Sequence, residues 1–502
     1  MDKIYALQLG KKDWREIYTL PEMVEFDYRK ELKRKPKRLY DLVFLDRTPM
    51  EREIDFLHSA TRAYTLFVTE QTELPGRAAW YYHCKKGRRI AREGIQEFLL
   101  QETKNYFSSP YGEKIEMYHV AVAQGFRGIV KWNGNYSVCL KGNFGKELNQ
   151  VLYWRNNIPL LHGQCLEFWL EYRKTGSVSI SMNITLLVRG NTSGEVYQKW
   201  EFSEEEIEQG IQIDNQMSDG VLFVSLLAKG KGEIRMIGLH DRHSRRGHGL
   251  FLPGGERYIT SNREEVFCYF DPGDMKPPLN VYFSGYKTIE GFEGYYLMRK
   301  MGCPFLLVAE ARLEGGGFYM GVPEYEALIP ELILKYMREL GFTADQVILS
   351  GISMGSCGAL YYGCDIRPHA VIVGKPLVSI GDVAANERLN RPGGFPTSLD
   401  VLGYLCDDAN EDSVVKLNRR FWDKFDGTEW GQTKIIVSYM IEDDYDRTAY
   451  QSLISHLHSE GVQLYGKGLH GRHNDNSGGI VSWFSGQLKQ TLSEDFQRKV
   501  DT

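Results

Sequence analysis

The segment Val347-Ile348-Leu349-Ser350-Gly351-Ile352-Ser353-Met354-Gly355-Ser356 limits the folds open to this chain more than any other. It begins as a short β-branched apolar run, which reads as a buried strand. It then passes through Gly351-x-Ser353-x-Gly355 and continues as Cys357-Gly358-Ala359-Leu360, small and apolar residues suited to a helix packed against a sheet. The five-residue pattern alone is weak in a chain with 51 glycines. A strand before it and a helix after it make it a nucleophile elbow. Glycine is needed on either side because the turn is strained and a side chain there would strike the neighbouring strand or helix. The elbow holds the Ser353 hydroxyl free at the top of the sheet and aims the Met354 N–H at the place where an oxyanion forms.

An elbow of this kind belongs to an α/β-hydrolase sheet, whose triad runs Ser, then acid, then His along the chain. The acid should follow the strand Lys434–Met440, where Ile441-Glu442-Asp443-Asp444-Tyr445-Asp446 stands. Asp443 lies where the turn presents its carboxylate; Glu442, Asp444 and Asp446 are rivals, some of them fit only to cap the next helix. The base should lie in the loop after the last strand, which offers His470 and His473. We favour His473, deeper in the loop and directly before Asn474-Asp475. A serine hydroxyl is a poor nucleophile at neutral pH, so a histidine must take its proton, and a carboxylate must fix that histidine's tautomer. The second oxyanion donor is expected after the strand Leu279–Phe283, from the N–H of Gly285 or Tyr286. Arg312 and Gly315-Gly316-Gly317 follow another strand end and have no assigned role.

Around this unit the pattern divides the chain of 502 residues into three. Residues 1–115 read as a small α/β domain, with strands at 3–9, 41–46 and 64–68 and a helix near 50–63. Gly10 there has no glycine-rich company, so no dinucleotide site is inferred. The basic run Lys33-Arg34-Lys35-Pro36-Lys37-Arg38 reads as a solvated loop. Residues 116–248 show short period-2 strands at 136–140, 165–172, 178–188, 221–227 and 233–237, with turns at Asn133–Asn135 and Gly190–Gly194. This is a β-sandwich in the style of a carbohydrate-binding module, though a sandwich fixes no function. Trp132, Trp154, Trp169 and Trp200 are candidates for a sugar platform and better candidates for core. Ser203 with Glu206 reads as a capping box. His240-Asp241-Arg242-His243-Ser244-Arg245-Arg246-Gly247-His248 invites a metal reading, but arginines repel a cation, and the run is read as a surface linker or inter-domain contact. Residues 249–502 form the hydrolase domain.

Composition narrows the function classes. A formal net charge of −5 argues against a nucleic-acid or anionic-membrane binder. No apolar run approaches membrane-span length, the N-terminus carries no secretory pattern, and the eight cysteines include no C-x-x-C pair. A cytoplasmic protein without metal or a tightly bound cofactor is expected.

The elbow followed by Ala359-Leu360-Tyr361-Tyr362-Gly363, with Met440-Ile441-Glu442-Asp443-Asp444 and Gly471-Arg472-His473-Asn474, resembles the second Asp protein family of the bacterial accessory Sec system. The resemblance implies a cytoplasmic protein, at times peripheral at the membrane translocase. It implies partnership with the first and third Asp proteins and the accessory Sec motor in exporting serine-rich repeat glycoprotein adhesins. It also implies O-acetylation of N-acetylglucosamine on the adhesin through a Ser–acid–His triad. Ser353 and His473 match the motif; Glu442 and Asp443 both fit the acid. A non-catalytic export chaperone and a plain carbohydrate esterase are the alternative readings.

Overall fold

The computed structural model describes residues 3–106, 112–190, 195–249, 254–390, 398–458 and 460–499. The C-terminal half is organised by eight strands: β1 (Glu256–Ile259), β2 (Glu265–Asp271), β3 (Leu279–Phe283), β4 (Phe305–Glu310), β5 (Val347–Ile352), β6 (Ala370–Gly374), β7 (Lys434–Met440) and β8 (Gln463–Leu469). Their order is β1-β2-β4-β3-β5-β6-β7-β8. From β4 to β8 the pairing is parallel, while β2 runs antiparallel to β4 and β1 antiparallel to β2. This is the α/β-hydrolase order.

β3 and β6 are buried along their whole length, as parallel strands covered on both faces must be. One face packs under Pro323–Leu340 and Met354–Ile366, the other under Tyr295–Lys300 and Ser477–Glu494. Between β6 and β7 the chain inserts three helices, Ile380–Asn390, Ser398–Cys406 and Glu411–Asp426, which the strand-and-helix alternation of the sequence did not reveal.

The β-rich middle contains one continuous ten-stranded sheet instead of separate short strands. Its spine, Gly220–His243, pairs over Ser225–Met236 with Ser137–Trp154, and both bend at glycines. At Gly230 (φ +95°) and Gly232 (φ +155°) an added Cβ would lie 2.0 Å from the carbonyl oxygens of Ser177 and Thr175. The two halves of the bent sheet close over one apolar core. Trp154 and Trp169 are buried in this region, and only Trp132 is well exposed. Ser203 and Glu206 do form the capping box. The turn expected at Gly190–Gly194 lies, apart from Gly190, outside the described residues. His240–His243 is no surface linker. It is the end of the spine strand, and the His240 and Arg242 side chains are wholly buried.

The N-terminal part is a five-stranded, all-parallel sheet. In spatial order its strands are Val24–Arg29, Ile4–Leu9, Leu42–Leu45, Leu66–Thr69 and Arg88–Ile90. The sequence reading found the three central strands and missed both edges, where polar residues break the apolar pattern.

Candidate active site

β5 delivers Ser353 to the elbow with φ +56° and ψ −123°, a left-handed conformation that costs a non-glycine residue strain. The two flanking glycines make it sterically attainable. A Cβ on Gly351 would sit 2.3 Å from the Gly355 carbonyl oxygen, and one on Gly355 would sit 2.1 Å from that of Phe283. Ser353 N–H donates to Gly374 O of the neighbouring β6 at 2.9 Å, which fixes the turn. Met354 opens the helix Met354–Ile366, so its N–H is one of the donors a helix start leaves without an intrahelical acceptor.

Ser353 Oγ lies 2.8 Å from His473 Nε2, and His473 Nδ1 lies 2.9 Å from Asp443 Oδ2. With Nδ1–H donating to the carboxylate, Nε2 is left to accept the serine proton. His473 and Asp443 are buried; Ser353 is half-buried. The rival carboxylates do other things. Glu442 is on the rim, accepting from Gly471 N–H at 2.6 Å and lying 3.0 Å from exposed His470 Nδ1. Asp444 accepts the backbone N–H of His473 at 2.9 Å. Asp446 accepts the N–H groups of Val378 and Ser379, both at 2.8 Å, and its burial, with the charge of Asp443 nearby, pushes its carboxyl up to about 6. Asp443 Oδ1 accepts from Tyr445 N–H at 2.8 Å, and the Tyr445 ring lies 4.2 Å from the His473 ring. The imidazole is thus held from three sides.

The loop after β3 departs from expectation at one amide. Gly285 N–H donates to Glu293 Oε2 at 2.7 Å, and Glu293 N–H donates to Ser284 Oγ at 3.0 Å. Gly285 therefore has an internal partner, whereas Tyr286 lies over Gly315, where a Cβ would come within 2.1 Å of its ring. A Cβ on Gly316 (φ +130°) would likewise meet Met354 Sδ at 2.5 Å. The glycine run left unassigned by the sequence lets its loop pack against Tyr286 and Met354. Arg312, also unassigned, is buried over the Tyr325 ring at 3.5 Å and bonded to Glu310, whose Oε1 accepts from Gly317 and Tyr319 N–H.

Sequence reasoning missed Lys375. It follows β6 with φ +50°, is buried, and donates from Nζ to Asp475 O at 3.1 Å and Ser477 Oγ at 3.0 Å. Burial lowers its pKa while Asp443 and Asp475 act to raise it. The ammonium thus ties the His473 loop to the end of β6. A lysine between Gly374 and Pro376 at a strand end was the available signal.

The residues 4–498 match the family described as Asp2: Accessory Sec system GspB-transporter. The chain belongs to the Asp2 family. The accessory Sec system protein Asp2 of Streptococcus gordonii is 34% identical, with 99% of each chain covered. That of Staphylococcus aureus (strain NCTC 8325 / PS 47) is 35% identical, with 99% of this chain and 98% of the relative covered. Among solved structures, a chain of the Glycosylation Associate Protein (Gap123) complex from Streptococcus agalactiae superposes with a TM-score of 0.86 at 34% identity, over 99% of both chains. Among the described residues of this Asp2-family chain, no helix is long and apolar enough to cross a membrane.

Proposed function

We propose that this Asp2-family protein is a serine-dependent O-acyltransferase that acetylates N-acetylglucosamine on a serine-rich repeat glycoprotein adhesin during accessory Sec export. The unbroken path from Ser353 Oγ through His473 to Asp443 carries this reading. Ser353 Oγ attacks the acyl carbon of the donor as His473 Nε2 takes its proton; the leaving group departs with that proton, and an acyl-serine remains. A sugar hydroxyl then attacks, giving its proton to His473, and Ser353 Oγ leaves and regains a proton. The oxyanion of each tetrahedral intermediate is assigned to the N–H groups of Met354 and Tyr286, joined by Gly285 when Glu293 releases it. Water at about 55 M competes for the acyl-serine, so transfer requires a held sugar; oriented groups reach effective molarities of about 10⁵ M or more.

The same reading places the protein in the cytoplasm, at or beside the translocase, with the first and third Asp proteins and the accessory Sec motor as partners. The likeness to a chain of the Gap123 complex supports the Asp-protein partners. A non-catalytic export scaffold is the second reading, favoured by the occupied Gly285 amide. The discriminating experiment is mass spectrometry of glycans on adhesin secreted by Ser353→Ala cells. Loss of acetyl groups with export retained supports the transferase; unchanged acetylation rejects it.

A further inference from the structure

The N-terminal sheet has the spatial order second, first, third, fourth, fifth, so the direction in which strands are added reverses between the first and third. In open parallel sheets, the crevice outside the carboxyl ends of the strands at such a reversal is where ligands bind. Here a cavity of about 1090 Å³ opens there. Gly10 and Lys11 after the first strand, Lys30 after the second and Arg47 after the third all line it, and the crossover 30–40 forms its remaining wall. The volume lies just above the roughly 300–1,000 Å³ usual for small-molecule sites.

The charge in this cavity contradicts that of the whole chain. The net charge is −5, yet nine Lys and Arg line the cavity against Asp27 and Glu31. The acids are engaged: Asp27 accepts from Tyr40 OH at 2.6 Å and pairs with Arg29, and Glu31 pairs with Arg52. Lys11, Lys30, Lys33, Arg34, Lys35 and Lys37 form no ion pair with any described residue. Like charges crowded into one concavity repel, and the walls focus their field on whatever anion enters.

The frame that presents these cations is fixed. Arg47 forks onto Glu53 at 2.7 and 2.9 Å and donates to Lys30 O at 2.8 Å, pinning the start of the crossover. Arg38 lies 3.9 Å above the Tyr5 ring and pins its end. Tyr28 OH donates to Gly10 O at 3.3 Å across the floor. Gly10 has a reason to be glycine: a Cβ would lie 2.6 Å from Gln8 Nε2. Tyr5 is covered by Arg38 and Tyr40 is buried, so these rings offer no open face to a planar base. What the cavity offers is point charges on flexible stems around a rigid floor, which suits a compact group with several charged oxygens.

We propose that this cavity binds a di- or triphosphate group, free or as the head of a nucleotide. The test is isothermal titration of the full chain with pyrophosphate, tripolyphosphate and ADP, against sodium sulfate at matched ionic strength. Saturable one-to-one binding of a phosphate probe that sulfate does not displace is expected. The double variant Lys33→Glu/Lys37→Glu, exposed and outside the catalytic half, should weaken it about tenfold or more, as loss of charge-assisted hydrogen bonds does. Its melting temperature and Ser353 labelling should stay at wild-type values. ADP binding tighter than pyrophosphate identifies a nucleotide; equal binding identifies the free anion. No saturation, displacement by sulfate alone, or identical binding by the double variant overturns the proposal. So does binding confined to acidic phospholipid vesicles or to single-stranded DNA.

Discussion

Arg242 Nε donates to Glu290 Oε2 at 2.6 Å, joining the spine strand of the β-sandwich to the loop that leaves β3. The same guanidinium forks onto Glu265 of β2 at 2.8 and 2.6 Å, and His240, two residues earlier, bonds the other oxygen of Glu290. Glu290 N–H donates to Gly112 O at 2.7 Å. Burial alone would raise the Glu290 carboxyl; Arg242 and His240 overcome it and hold it near 2. The loop that carries Gly285 and Tyr286 is therefore gripped by the sandwich through paired buried charges.

Removing one partner of such a pair strands the other in a dry interior, which costs about 3–5 kcal/mol. Arg242→Met should lower unfolding stability by up to about that amount in urea titration, since it removes the bidentate partner of Glu265, leaving Arg257 at 3.3 Å, and one of the two cationic partners of Glu290, leaving His240. A loss below about 1 kcal/mol would mean that the contact is solvated in solution. Glu290→Gln, which keeps a hydrogen-bonding side chain, should cost less.

Ser353→Ala should abolish fluorophosphonate labelling. Its melting temperature should stay within a few degrees of wild type, because the half-buried hydroxyl makes no core contact and comparable changes cost about 0.5 kcal/mol. Labelling of the variant at the wild-type rate would remove Ser353 from the nucleophile role.

The two histidines of the last loop separate cleanly. His473→Ala should cut ester turnover by orders of magnitude, because members of a triad act as a unit. His470 is exposed on the rim beside Glu442, and His470→Ala should reduce turnover by less than about threefold. The reverse ranking would reassign the base.

Much of the site could be read from sequence because its constraints are local. The elbow glycines and the strand before them are set by neighbours within a few residues, and the places to look for acid and base follow from the strand order of the fold. The choice among Glu442, Asp443, Asp444 and Asp446 is not local: it depends on where β7 ends relative to a loop some thirty residues later. Lys375 and Glu293 were invisible for the same reason, since each acts on a segment distant in the chain. The bent sheet escaped because a glycine reads as a turn in sequence, while Gly230 and Gly232 keep their strand paired and only bend it. His240–His243 was read as a surface linker or an inter-domain contact because its charges are typical of a surface; it is the contact, and its partners come from three other segments.

Lys375→Met should slow turnover between about tenfold and 100-fold by loosening the His473 loop, as small misplacements of a catalytic group do. Lys375→Arg, which keeps the charge and the donors to Asp475 O and Ser477 Oγ, should restore part of the rate. Unchanged turnover in Lys375→Met would remove Lys375 from the positioning of that loop.

Asp446 sets a pH dependence of stability with a definite sign. Its carboxyl titrates near 6 in the folded chain, pushed up by burial and by Asp443, against about 3.9 unfolded. Between about pH 4 and 6 the native state therefore holds a proton that the unfolded state releases. The linkage slope is negative there: stability contributed by this group is present below about pH 4 and is lost as pH rises through 6. Two pKa units correspond to about 3 kcal/mol at most. Asp446→Asn keeps an oxygen to accept the N–H groups of Val378 and Ser379 and can never ionise. Its stability should exceed wild type at pH 7–8, and the two should converge toward pH 4, in denaturant titrations at a series of pH values. A variant less stable than wild type at pH 8 would show that the ionised carboxylate is accommodated by those two backbone donors, and that burial does not dominate at this position.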